Sequence, residues 1–133
     1  MASWPDVLDD PRSIQAIYDD RTPPLESVVL HEISLHRDGP RVVLRFDLPE
    51  YPTHPPKKWL NQGLNVVQIQ LMLIGIRDLS LRGWSHESSV NLSLERQGDA
   101  VRVAASSGST TINISAEAAS IVSVSAYLSP GLR

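Results

Sequence analysis

At 133 residues, with 41% of them apolar, the chain has room for one domain with a hydrophobic core and is neither disordered nor fibrous in composition. The balance of 12 basic against 15 acidic residues, a net charge of −3, argues against a phosphate-driven nucleic-acid binder, whose footprint is a basic excess on one face. Cysteine is absent, which removes disulfides and thiolate metal ligands and favours a reducing compartment.

The chain begins Met1-Ala2-Ser3-Trp4-Pro5-Asp6, without the basic segment and apolar run of a signal peptide. Its longest apolar stretch, residues 64–76, is interrupted by Gln68 and Gln70 and is too short to span a bilayer. A cytoplasmic protein with no membrane partner is expected. Residues 1–26 hold six acids (Asp6, Asp9, Asp10, Asp19, Asp20, Glu26) and two bases, Arg12 and Arg21, so an acidic N-terminal segment should lie over a near-neutral body. Within it, Asp10-Pro11-Arg12-Ser13 reads as an N-cap followed by proline at the first helical position. Ile14, Ile17 and Tyr18 then share one face of a helix over about residues 10–19, and Arg21-Thr22-Pro23-Pro24 ends it. So short a helix is marginal alone and must dock on something larger.

From about residue 26 to residue 128 the chain alternates apolar and polar residues, the period of a β-strand. In Glu26–His36 the apolar set starts at Val28 and Leu30, then moves to Ile33 and Leu35. That change of parity predicts a β-bulge near His31-Glu32, or a strand covered on both faces. Asp38-Gly39 supplies a hairpin turn, and Val42, Leu44, Phe46 and Leu48 then face one way against Arg41, Arg45 and Asp47. A loop over residues 49–56 holds four prolines. Residues 64–76 read as a central strand buried at least partly on both sides, with the N-terminal helix as cover for its second face. Val90, Leu92 and Leu94, then Val101 and Val103, Ile112 and Ile114, and Val122, Val124 and Ala126 mark four more strands. Turns at Gln97-Gly98-Asp99 and Ser107-Gly108-Ser109 make this a meander of local hairpins, hence antiparallel. The fold class is mainly β with one short N-terminal helix, a single domain over 1–133 in which about seven to eight antiparallel strands form a bent sheet or sandwich. Sandwich and open barrel are not distinguished, nor is the oligomeric state.

No catalytic constellation stands out. The spacing of His31, His36, His54 and His86 fits no zinc motif, and no metal or cofactor is implied. Serines are many, but none sits in a nucleophile elbow. Asp9-Asp10 and Asp19-Asp20 flank the helix, where capping and solvation explain them. An enzyme site assembled from scattered residues would draw on His31, His86 and Glu87. The most unusual stretch is Tyr51 to Trp59, where Tyr51, His54, Lys57, Lys58 and Trp59 lie on a proline-stiffened segment. Such a segment suits partner recognition, since little freedom is lost on binding. The plainer reading of Trp59 is a plug packed on the sheet, and Trp84 likewise reads first as core or edge packing. A second class of function, a module binding a glycan or small hydrophobic ligand, would use Trp4, Trp59, Trp84, Tyr51 and Tyr127 as stacking platforms.

The order of features carries a resemblance. Trp4 precedes a helix ending in Ile17-Tyr18, Pro24-Leu25 leads into a strand, and Arg37-Asp38-Gly39-Pro40 forms a hairpin. Pro55, Pro56 and Trp59 make a Pro-Pro-x-x-Trp element before a hydrophobic strand, and the last strand ends in Tyr127. This arrangement resembles the immunity protein 50 family of bacterial polymorphic-toxin systems, from about Trp4 to Tyr127. The resemblance implies a non-enzymatic cytoplasmic protein that binds a cognate toxin protein and neutralises it by steric occlusion. It carries over no contact residues.

Overall fold

The computed structural model describes residues 3–19, 21–86 and 89–130. Asp20 of the acidic segment, Glu87 of the scattered enzyme site, and Met1 and Ala2 of the chain start lie outside the described residues. A 3-10 helix (Trp4–Val7) and helix α1 (Arg12–Tyr18) precede strands β1 (Val28–His36) and β2 (Arg41–Asp47). A second helix, α2 (Lys57–Gln62), leads to β3 (Val66–Ile74), β4 (Asp78–Arg82), β5 (Ser89–Gln97), β6 (Ala100–Ser106), β7 (Thr111–Ala116) and β8 (Ala118–Tyr127). The fold is mainly β, as the alternation predicts. All pairings are antiparallel, in one unclosed eight-stranded sheet of order β4-β7-β6-β5-β1-β2-β3-β8.

The sheet bends because two of its strand pairs are one ladder interrupted at a corner. Ile74 pairs with Ala118, and after Gly75-Ile76-Arg77 the ladder resumes with Asp78 opposite Ser115. Gly75 takes φ +70°, where glycine is favoured, and the Glu117 amide donates to the Ile74 carbonyl at 2.9 Å. On the other side the two halves join where Val28 and Val29 of β1 pair with Val90 and Ser89 of β5. Both halves therefore feed one core. Phe46, Leu44, Ile69, Leu71 and Leu73 from one half meet Val101, Val103, Ile112 and Ile114 from the other, all fully buried.

The predicted bulge is present. The register of β1 on β2 shifts between Leu30 and Glu32, leaving His31 as the extra residue. A second shift, between Gln70 and Leu71 of β3 against β8, leaves Val122 out of the ladder and exposed.

Three expectations are corrected. Helix α1 starts at Arg12, with Pro11 as its N-cap, because the Pro11 carbonyl accepts the first helical amide, that of Gln15, at 3.0 Å, while the Asp10 carboxylate accepts the Arg12 amide at 3.1 Å from outside. The helix does not cover the second face of β3. Ile14 and Tyr18 join the same core as Ile69 and Leu73, because the Asp9 amide bonds the Ala119 carbonyl and docks the segment at the β8 margin. The second face of β3 (Gln68, Gln70, Met72, Ile74) is half-buried, as the sequence predicts, without the helix as its cover. Finally, α2 follows the proline loop unforeseen, and β4 forms an edge strand that sequence alternation alone does not single out.

Candidate functional site: the Asp47 cleft and the 51–59 segment

Asp47 is the one charged residue buried among the described residues. It ends β2 on the face opposite Phe46, and its neighbours on that face come from three other strands. The β1 bulge turns His31 toward it, and His31 Nε2 lies 2.8 Å from Asp47 Oδ2. Gln68, its cross-strand partner on β3, donates from Nε2 to Oδ1 at 3.0 Å. The Tyr127 hydroxyl, from the end of β8, donates to Oδ2. A carboxylate taken from water is stabilised only when its lone pairs are filled, and here three donors fill them. Burial, then the hydrogen bond and charge of Asp47, push the Tyr127 hydroxyl up to about 12, with Arg45 opposing. Arg45 itself pairs with Glu32 at 3.1 Å one step along the same face.

This cluster floors a cleft of about 340 Å³ whose walls include Val29, Pro49, Tyr51, Asn65 and Ser129. Asn65 and Ser129 exchange two hydrogen bonds, 2.8 and 3.1 Å, which hold the chain after β8 against the start of β3. The cleft thus borders the unusual segment of the sequence. Tyr18 of α1 donates its hydroxyl to the Glu50 carbonyl at 2.7 Å, which ties the proline loop to the helix. Pro56 caps α2, its carbonyl accepting the amides of Trp59 and Leu60. Gly63 closes the helix at φ +64°, with the Leu64 amide returning to the Trp59 carbonyl, a left-handed C-terminal cap.

The predicted site residues divide into two groups. Tyr51 and Trp59 are half-buried and pack on the core, their rings 6.2 Å apart and tilted by 43°. The Tyr51 hydroxyl is buried without a hydrogen-bond partner among the described residues. Lys57 and Lys58 stand exposed in the first turn of α2, and His54 is exposed beside Asp19, 3.8 Å away. The aromatic pair is packed on the core, and the polar residues of the segment are the exposed ones.

Sequence reasoning missed the Asp47 cluster, although two signals pointed to it: the parity break at His31, and glutamines inside an otherwise apolar strand. Of the scattered set, Glu87 lies outside the described residues, and the two histidines stand apart: His31 is engaged by Asp47, while His86 is exposed and shares no hydrogen bond with it. The tryptophans do not converge either. Trp4 donates to the Pro23 carbonyl at 2.8 Å, and Trp59 packs on Tyr51. Trp84, expected in the core or at a packed edge, is 52% exposed beyond β4, because the chain leaves the sheet at Gly83. Among the described residues, no three His, Asp or Glu side chains converge as metal ligands do. Nor is any helix there long and apolar enough to cross a membrane.

No curated protein and no solved structure matches the chain. The family model described as Immunity protein 50 matches residues 10–127, most of its length, and the chain belongs to that family.

Proposed function

We propose that this member of the immunity protein 50 family acts in the cytoplasm by binding a cognate toxin domain and covering it sterically. The observation that carries the reading is the family match over residues 10–127. The contact surface in this proposal is the rim of the Asp47 cleft with Tyr51, His54, Lys57, Lys58 and Trp59. Three structural features support that choice. The Tyr51–Trp59 pair rests on the core, so the segment is preformed and loses little freedom on binding. Lys57 and Lys58 are exposed, where they would meet acidic groups on the toxin, and His54 is exposed on the same segment. Asp47 has its oxygens engaged by His31, Gln68 and Tyr127, so the cleft presents a fixed polar surface.

The test is co-expression with the toxin-like product encoded beside this gene in a sensitive host. Survival and an equimolar complex on size exclusion are expected, and the charge reversal K57E/K58E should weaken both. A toxic neighbour that kills equally with and without this protein would sink the immunity reading. Full protection by K57E/K58E and by Trp59→Ala would instead move the contact surface elsewhere.

A further inference from the structure

The two edges of the sheet are treated differently. Along β8, the Asp9 amide donates to the Ala119 carbonyl and the Ser120 hydroxyl meets the Asp9 carboxylate, so the N-terminal segment covers part of that edge. Strand β4, at the other edge, has β7 as its one neighbour. It pairs without a bulge from Asp78 opposite Ser115 to Arg82 opposite Thr111, and every residue but Leu79 is exposed. Open edges are usually blunted by shortness, proline, bulges or charged side chains, because they offer unpaired amides and carbonyls to any other strand. Strand β4 is short but has no proline and no bulge, and its two charges stand at its ends, leaving the centre uncharged.

Its sequence is Asp78-Leu79-Ser80-Leu81-Arg82, symmetric about Ser80 in its leucines and opposite in charge at its two ends. An antiparallel pairing of two copies centred on Ser80 sets Asp78 of each opposite Arg82 of the other, and Leu79 opposite Leu81. Neither Asp78 nor Arg82 has an ion-pair partner among the described residues, so both are available for this exchange. The leucines lie on the face whose β7 partners are the core residues Ile114 and Ile112. The two cores would then run into one another along a continuous apolar stripe. Leu81 is 41% exposed, and with Leu35 and Trp84 it lines an open groove of about 320 Å³. Extending the same numbering brings Trp84 of one copy to Ile76 of the other. A slip of two residues loses both ion pairs, and an in-register parallel pairing sets like charges side by side. Charge therefore selects one register and one symmetry.

We propose that β4 is a self-complementary edge through which two copies of this chain associate as a two-fold dimer, with Asp78–Arg82 pairs at both ends of the shared ladder. The inference is independent of the toxin, since β4 contributes nothing to the 51–59 surface.

Sedimentation equilibrium over a concentration series tests it. The mass of the wild-type chain should rise from monomer to dimer. Asp78→Arg and Arg82→Asp, each at an exposed position, set like charges opposite one another at both ends and should weaken association by about tenfold or more. The double variant D78R/R82D restores opposite charges and should regain wild-type association. Mixing the two single variants should give a heterodimer, because one then carries two cations on β4 and the other two anions. Far-UV circular dichroism confirms that each variant is folded. A wild-type chain that stays monomeric throughout, or single variants that dimerise as well as wild type, would overturn the proposal. So would a monomeric wild type whose toxin binding is lost in Asp78→Arg, which would assign the edge to the toxin.

Discussion

The Tyr127 hydroxyl donates to the carboxylate of Asp47, which lies eighty residues earlier in the chain. The contact is diagonal across three strands: Asp47 faces Gln68, Gln68 faces Ser125, and Tyr127 stands two residues on. Tyr127→Phe removes the donor and keeps the ring, and should lower stability by about 1.5–3 kcal/mol, the usual range for a hydrogen bond to a charged group. Asp47→Ala should cost more, since it strands the donors of Gln68 and Tyr127 together. Urea unfolding at neutral pH measures both, and a Tyr127→Phe midpoint equal to wild type would remove this bond from the stability argument.

The tyrosines give a second test, in alkali. Burial raises Tyr18, Tyr51 and Tyr127 above the ordinary value of 10.0, Tyr127 to about 12 with help from Asp47. In the unfolded chain they ionise near that ordinary value. Between the two values the folded state holds protons that the unfolded state has released, so stability falls as pH rises through this window. Absorbance at 295 nm should show little tyrosinate in native protein near pH 10 and a jump on unfolding. A native titration with all three tyrosines at ordinary values would contradict the packing described for them.

Much of the fold is legible locally and much of the site is not, for a physical reason. Alternation in Val42, Leu44 and Phe46 reports which face of β2 is buried, because a strand's faces are set by neighbours two residues apart. The parity break at His31 likewise reports its bulge. But the same alternation files Asp47 with Arg45 on the polar face, and Asp47 is buried only because His31, Gln68 and Tyr127 arrive from other strands. Register across strands carries that information, and no local window contains it. Strand β4 escaped notice because its five residues include two charges and a serine. Helix α2 escaped because four prolines before it read as loop, although Gly63 was there to mark its end.

Two glycines in left-handed turns should respond very differently to alanine. Gly83 has φ +74°, and a Cβ there would lie 1.8 Å from the Ser109 carbonyl oxygen. Its own carbonyl accepts the hydroxyl of buried Thr110 at 2.9 Å, so a shift of the backbone would break a second contact. Gly98, at φ +62° in the β5–β6 turn, has nothing within 4 Å of the same position. Gly98→Ala should therefore cost about 1 kcal/mol of left-handed strain, and Gly83→Ala several times that. Thermal or urea unfolding of the pair, side by side, decides it; equal losses would mean that the Ser109 approach is not a constraint.

Helix α1 holds to the sheet through one face. Ile14 is fully buried while Ile17 is half-buried, on a helix of seven residues too short to persist alone. Ile14→Ala should cost about 2–5 kcal/mol through lost transfer energy and a cavity, and Ile17→Ala clearly less. Because Tyr18 ties this helix to the Glu50 carbonyl, Ile14→Ala should also speed amide exchange around residues 50–56. Unchanged exchange there would uncouple the helix from the proposed binding segment.

Tyr51 separates packing from recognition within that segment. Its hydroxyl is buried with no hydrogen-bond partner among the described residues, while its ring packs on Trp59 and the core. An unpaired buried hydroxyl is a standing cost of about 1–3 kcal/mol, so Tyr51→Phe should stabilise the fold, by about 1 kcal/mol after relaxation. Being buried, the hydroxyl does not reach a partner's surface, so protection against the toxin should be unchanged. K57E/K58E predicts the opposite pairing: unchanged stability, because both lysines are solvated, with weakened protection. Denaturation midpoints and rescue assays on both variants give a two-by-two outcome. If Tyr51→Phe loses protection while gaining stability, the hydroxyl is itself a toxin contact, held unpaired in the free protein for the partner to satisfy.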